Sequence, residues 1–236
     1  GDKWPTAQRD DKGTDEQYER ELKRGILLGD GCYTDATVDR NHVHISTSVE
    51  DKGYNERVKK LSGEEQFRAD DPYSEGKAKK MVFSDGGAVV QQLDLDPAKA
   101  PGKSFDPTDL TTEAEVMGTL DGLLASDGNI NLYSNHPQIR WDTSSEELAD
   151  SIRNALLSVG IHGRISVVTD PKRGGSINGR KISANNPKYT VNVSGASARR
   201  YAEKSRIGEI HPEKGEQMFE LRTAWLTTGN TGKAQV

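Results

Sequence analysis

Two heptapeptides constrain this 236-residue chain more than any other feature: Gly-Ile-Leu-Leu-Gly-Asp-Gly at 25–31 and Gly-Leu-Leu-Ala-Ser-Asp-Gly at 122–128. Each closes an apolar, helix-like run, and their aspartates, Asp30 and Asp127, lie 97 residues apart. A repeat of this kind sets the architecture before any local detail does. Small residues recur every fourth position, at Gly25 and Gly29 in the first run and at Gly118, Gly122 and Ser126 in the second. That spacing places them on one helical face, so two such helices can pack almost backbone to backbone. Glycine inside a helix costs about 1 kcal/mol relative to alanine, and several are kept only where close contact repays them. Ile26, Leu27 and Leu28, and Leu120, Leu123 and Leu124, anchor each helix into its own half-core.

If the glycine faces meet, the helix ends meet too, and Asp30 and Asp127 are forced together. Two carboxylates a few ångströms apart repel unless a cation lies between them. Mg²⁺, with carboxylate and water ligands, suits such a pair, and a DNA phosphate as the next ligand completes the parts for metal-assisted phosphodiester hydrolysis. One Asp-Gly after a helix is an ordinary turn. Two of them, on helices with matching small-residue spacing in a repeated order of elements, point beyond a turn.

That order is helix, strands, helix, strands, helix, read twice. The polar opening gives way to a helix from Tyr18, followed by a strand at 41–47, a helix at 51–61, strands around Glu64–Ala69 and Lys79–Ser84, and a short helix from Gly86. A Pro- and Gly-rich stretch, 96–110, is the internal boundary. The second pass runs through a helix at 111–128, a strand pair, an amphipathic helix at 144–160 and strands at 163–170 and 188–195. A final helical stretch begins at Gly195, and the segment between the last two strands reads as a basic loop. The expected division is a lead-in at 1–17, repeats at 18–110 and 111–225, and a polar tail at 226–236.

Composition narrows the partners. No run approaches the roughly 18 apolar residues of a membrane span, and the acidic N-terminus carries no signal-peptide pattern. A single cysteine, Cys32, excludes an internal disulfide and a Cys-cluster zinc site and suits a reducing cytosol, so a cytoplasmic protein is expected. The net charge of −5 argues against indiscriminate nucleic-acid binding. Yet residues 163–214 hold eleven Lys/Arg against four Asp/Glu, which allows one face to meet phosphates.

Lys23–Gly31 and Leu120–Gly128 resemble the two signature motifs of LAGLIDADG homing endonucleases, the intein-encoded kind especially. Residues 148–161 and 189–214 are similar to further parts of one such repeat, and the resemblance extends over roughly 18–225. It implies an α+β fold of two pseudo-symmetric αββαββα repeats, forming a saddle of two antiparallel sheets with the signature helices paired at the interface. It also implies site-specific cleavage of double-stranded DNA at a long asymmetric site by a monomer, with Mg²⁺, or Mn²⁺ in its place, held by Asp30 and Asp127. The family's basic residues fall, by position, on Lys103 and Lys214, where lysine could stabilise charge on the scissile phosphate. The chain begins with glycine and ends without a His-Asn pair, so a free-standing enzyme, or an endonuclease domain detached from a larger intein, is expected rather than self-splicing. A maturase, or a degenerate nucleic-acid-binding relative that does not cut, is the alternative.

Strand alternation identifies the residues that would meet DNA. His42, His44 and Ser46 share one face. Gln138 and Arg140 share another, as do Lys188, Thr190 and Asn192. Such side chains suit base edges in a major groove. Lys172, Arg173, Arg180 and Lys181, in the basic loop, suit phosphates.

Overall fold

The computed structural model describes residues 11–63, 67–73, 78–132, 137–169, 175–177, 180–182 and 186–228. Helix α1 spans Asp15–Asp30 and α5 spans Glu113–Ser126, and both start with the same device. The Thr14 hydroxyl accepts from Gln17 N while the Gln17 side chain accepts from Thr14 N, and Thr112 and Glu115 exchange the same pair of bonds. Each capping box satisfies helix N–H groups that would otherwise lack partners. The first helix therefore starts three residues before Tyr18, the start expected from its apolar pattern.

After α1 come β1 (Gly31–Cys32), a short α2 (Asp35–Asp39), β2 (His44–Ser48), α3 (Lys52–Ser62), β3 (Phe67–Tyr73), β4 (Ala78–Phe83) and α4 (Gly86–Gln92), then a single 3₁₀ turn at Ala100–Gly102. After α5 come β5 (Gly128–Asn131), β6 (Gln138–Thr143), α6 (Glu146–Ser158), β7 (Arg164–Val168), β8 (Gly175–Ile177), β9 (Arg180–Ile182), β10 (Lys188–Ser194), α7 (Gly195–Lys204), a 3₁₀ turn at Ile207–Glu209 and α8 (Pro212–Thr228). The two four-stranded sheets have orders β1-β2-β4-β3 and β5-β6-β10-β7, with every pairing antiparallel. The orders correspond strand for strand, so the α+β fold is a pseudo-symmetric pair of repeats. One expectation is corrected: the segment read as a basic loop carries β8 and β9, paired antiparallel as a separate two-stranded sheet. Among the described residues no helix is long and apolar enough to cross a membrane.

Alternation gives the second sheet one buried face. Ile139, Trp141, Val191 and Val193 enter the core, while Gln138, Arg140, Asp142 and Asn192 turn away from it. The register sets Arg140 opposite Asn192 and Asp142 opposite Thr190. Trp141 Nε1 donates to Leu120 O at 3.3 Å, tying this sheet to α5.

The axis of the molecule is the contact between α1 and α5. A methyl group built on Gly25 would overlap the Thr119 carbonyl, and one on Gly122 would overlap the Leu22 carbonyl. The same holds for Gly118 against the Tyr18 carbonyl, and Gly29 leaves the room that the Ser126 side chain takes. The backbones touch because these positions lack a side chain, as the four-residue spacing requires.

Inside this contact lies a polar cluster. Asp121, fully buried in the middle of α5, accepts from Tyr18 Oη (2.7 Å), Tyr201 Oη (2.7 Å), Ser205 Oγ (2.6 Å) and Arg206 N (2.7 Å). It thereby joins α1, α5 and the chain after α7. On the other helix, buried Glu21 accepts from Thr119 Oγ1 at 3.1 Å and from Arg20 Nε at 3.0 Å.

Candidate active site

Because α1 and α5 run together, their C-terminal ends bring Asp30 and Asp127 side by side, close enough for the Asp127 carboxylate to act on Asp30. Asp30 is half-buried and Asp127 exposed, so both can be reached from solvent. Crowding by protein and the neighbouring carboxylate hold Asp30 well above the usual carboxylate range, at about 7. Loss of water also pushes Asp127 up, against the pull of Lys103 and Lys214. One proton shared between two carboxyl groups is the expected response of such a pair.

Each helix end is closed by one lysine. Lys103 Nζ donates to Leu27 O (3.3 Å), Leu28 O (2.9 Å), Gly29 O (3.0 Å) and Gly31 O (2.7 Å), and its ammonium lies 5.1 Å from the centre of the Tyr33 ring. Lys214 Nζ donates to Leu124 O (2.7 Å), Ala125 O (2.8 Å) and Ser126 O (3.2 Å). An ammonium at a helix C-terminus meets both the unpaired carbonyls and the negative end of the helix dipole. Burial lowers the pKa of both lysines, that of Lys214 to about 8, while the aspartates oppose the change. The loop before the second helix is fixed in turn, since Ser145 Oγ donates to Lys103 O at 2.7 Å.

Two cavities flank the carboxylate pair. One, of about 510 Å³, is lined by Lys103, Asp127, Asp142, Leu148 and Lys188; the other, of about 540 Å³, by Asp30, Ser46, Tyr54, His211 and Lys214. Each therefore holds one aspartate and one lysine of the four residues picked out from the sequence.

The expected DNA-facing residues divide by position. On the second sheet Asp142 bridges Thr190 (2.6 Å), Lys188 (2.7 Å) and Arg140 (3.6 Å), and Asn192 Nδ2 donates to Gln138 Oε1 at 3.0 Å. These side chains form one laterally bonded row, in which Thr190 is buried and the others are partly exposed. On the first sheet Ser46 is exposed, but His44 is mostly buried, with Nδ1 3.0 Å from His42 O, and the two rings meet edge to face. His42 lies just before β2. Arg180 and Lys181 are on β9 with side chains outside the described residues, and Lys172 and Arg173 lie outside them altogether.

Among the described residues no group of three His, Cys, Asp or Glu side chains could surround a metal. The donor set is two carboxylates, hard oxygen ligands whose mutual repulsion a divalent cation would relieve, and that chemistry fits Mg²⁺ or Mn²⁺ with water and phosphate in the remaining positions. Sequence reading missed three members of this region. Asp121 shows as an acid inside an apolar run. Tyr54 shows no signal beyond its place near the start of α3. His211 is visible only when His-Pro-Glu-Lys at 211–214 is set against Ala-Pro-Gly-Lys at 100–103.

Comparison with known proteins agrees with this fold. Residues 114–206 match the model of a LAGLIDADG-like domain. A 105-residue stretch is 28% identical to part of a DNA polymerase from Thermococcus hydrothermalis, covering 44% of this chain but only 6% of that protein's length. The homing endonuclease I-WcaI bound to its DNA recognition sequence superposes with a TM-score of 0.54 at 14% identity, over 87% of this chain and 88% of that one. A variant of I-DmoI, in complex with its target DNA and in the presence of manganese, gives 0.53 at 11% identity, over 83% and 97%. Full-length DUF199/WhiA from Thermatoga maritima gives 0.51 at 14% identity, over 96% and 71%. Residues 114–206 thus match a LAGLIDADG-like domain by sequence, and the chain shares the two-repeat fold of these structures.

Proposed function

We propose that this chain is a site-specific double-strand DNA endonuclease that works at the joined ends of α1 and α5. The observation carrying this reading is the Asp30–Asp127 pair, two carboxylates held together at a cost in folding free energy and open to solvent. A divalent cation, Mg²⁺ or Mn²⁺, held by these two residues would polarise the scissile phosphate and make a bound water more acidic. Lys103 and Lys214 hold the helix ends in place and supply positive potential where negative charge builds on the phosphate. Gln138, Arg140, Lys188 and Asn192 read base edges from the second sheet, and His42 and Ser46 do so from the first, with buried Thr190 and His44 holding Asp142 and the His42 backbone in place behind them. Lys172, Arg173, Arg180 and Lys181 neutralise backbone phosphates. Residues 18–110 and 111–225 each serve one half of a long asymmetric site, so a monomer suffices. The likeness to a short part of a much longer polymerase supports an origin as an intein-encoded domain inside a host protein.

A second reading is binding without cutting. It is favoured by the amino groups of both lysines, already occupied by helix carbonyls, and by the likeness to WhiA. One experiment separates the two. The purified protein is incubated with a randomised plasmid library in Mg²⁺ or in EDTA, and any ends are sequenced. Discrete ends at one long site, seen only with Mg²⁺, support the endonuclease. Recovered binding sites without ends support the alternative.

A further inference from the structure

The two cavities beside the carboxylate pair match in position but not in chemistry. Tyr54 and Leu148 are each the third residue of the corresponding helices α3 and α6, and His211 and Ala100 each stand three residues before the capping lysine. The Asp127–Lys103 cavity is therefore lined by Leu148 and Ala100, and the Asp30–Lys214 cavity by Tyr54 and His211. The Tyr54 and His211 rings stack with centroids 5.1 Å apart and planes 24° from parallel.

Tyr54 is 3% exposed, and its hydroxyl has no hydrogen-bond partner among the described residues. Burying an unbonded hydroxyl is unfavourable, and phenylalanine would fill the same volume without that cost. Tyr54 lines the same cavity as Asp30, Asp51 and Lys214. A donor kept unbonded in that lining is complete only when an acceptor arrives with a ligand.

We propose that the Tyr54 hydroxyl donates to a phosphate oxygen of the DNA strand entering the Asp30–Lys214 cavity, with the His211 ring holding the phenol in place. No proton leaves the tyrosine; the step is a hydrogen bond. The Asp127–Lys103 cavity offers only Leu148 and Ala100 at the matching places, so the two half-sites are unequal and the two strands are cut at different rates. The inference rests on the endonuclease reading.

The test uses the full chain and a plasmid carrying a target recovered by cleavage selection, with each strand labelled separately in single-turnover reactions. Tyr54→Phe should slow cutting of one strand by about tenfold, the size of one lost hydrogen bond to a charged oxygen. The other strand should stay within about twofold, and the melting temperature should not fall. His211→Ala should slow the same strand. A wild type that cuts while Tyr54→Phe changes neither strand, or both equally, overturns this proposal alone. A wild type that cuts no target overturns it together with the endonuclease reading.

Discussion

Asp30 and Asp127 stand close enough for one carboxylate to raise the pKa of the other, although they come from helices whose starts lie nearly a hundred residues apart. Folding has raised the Asp30 pKa to about 7, so between its unfolded value near 4 and that point the folded state keeps a proton that the unfolded state has lost. Stability from this group is present at low pH and is lost as pH rises to about 7. Asp30→Asn removes the ionisation. The variant should melt higher than wild type at pH 8 in EDTA, by a few degrees at about 2–4 °C per kcal/mol, and the gap should narrow at pH 5. Added Mg²⁺ should raise the wild-type melting temperature at pH 8 and leave that of Asp30→Asn nearly unchanged. Thermal melts with and without metal check both statements, and a variant that melts lower at pH 8 would contradict them.

Lys103 and Lys214 cap equivalent helix ends, but not equally. Lys103 is 5% exposed and reaches four carbonyls, whereas Lys214 reaches three and is less buried. Lys103→Met should cost about 2–3 kcal/mol in urea unfolding, because several helix-end acceptors lose a charged donor. Lys214→Met should cost less. Costs within about 0.5 kcal/mol for both would mark them as ordinary solvated charges.

Asp121 gathers four donors from two other segments at the α1–α5 contact. An amide there has only one acceptor oxygen, so Asp121→Asn turns an NH₂ toward either Tyr18 Oη and Arg206 N or Tyr201 Oη and Ser205 Oγ. With Arg206 N able only to donate, the amide oxygen must face Tyr18 Oη and Arg206 N, and the NH₂ then faces Tyr201 Oη and Ser205 Oγ, whose hydroxyl protons lose their charged acceptor. A loss of about 2–3 kcal/mol is expected by chemical denaturation. A variant as stable as wild type would mean that the cluster relaxes without cost.

The parts of this fold legible in the sequence were those governed by short spacing. Gly25, Gly118 and Gly122 announced the helix contact because only a missing side chain permits it, and Ile139, Trp141, Val191 and Val193 announced a one-faced sheet. The start of α1 was displaced because the Thr14 and Gln17 capping box lies outside the apolar pattern. Strands β8 and β9 are too short and polar to show alternation, and Asn178-Gly179 between them is the hairpin signal in that segment. The resemblance picks out Lys103 and Lys214, but not their capping of the helix ends, since their acceptors are carbonyls that no side-chain pattern records. Asp121 and His211 leave only faint marks in the sequence and Tyr54 none, because each acquires its meaning from a partner brought close only by the fold.

The carboxylate pair is tested most directly by cleavage and binding with Asp127→Asn on a target recovered by selection with the wild type. Strand cutting in Mg²⁺ should fall by at least about a thousandfold, a loss of roughly 4 kcal/mol of transition-state stabilisation, while target affinity measured in Ca²⁺ should stay within about tenfold. Cutting at the wild-type rate by Asp127→Asn would contradict the role proposed for the pair.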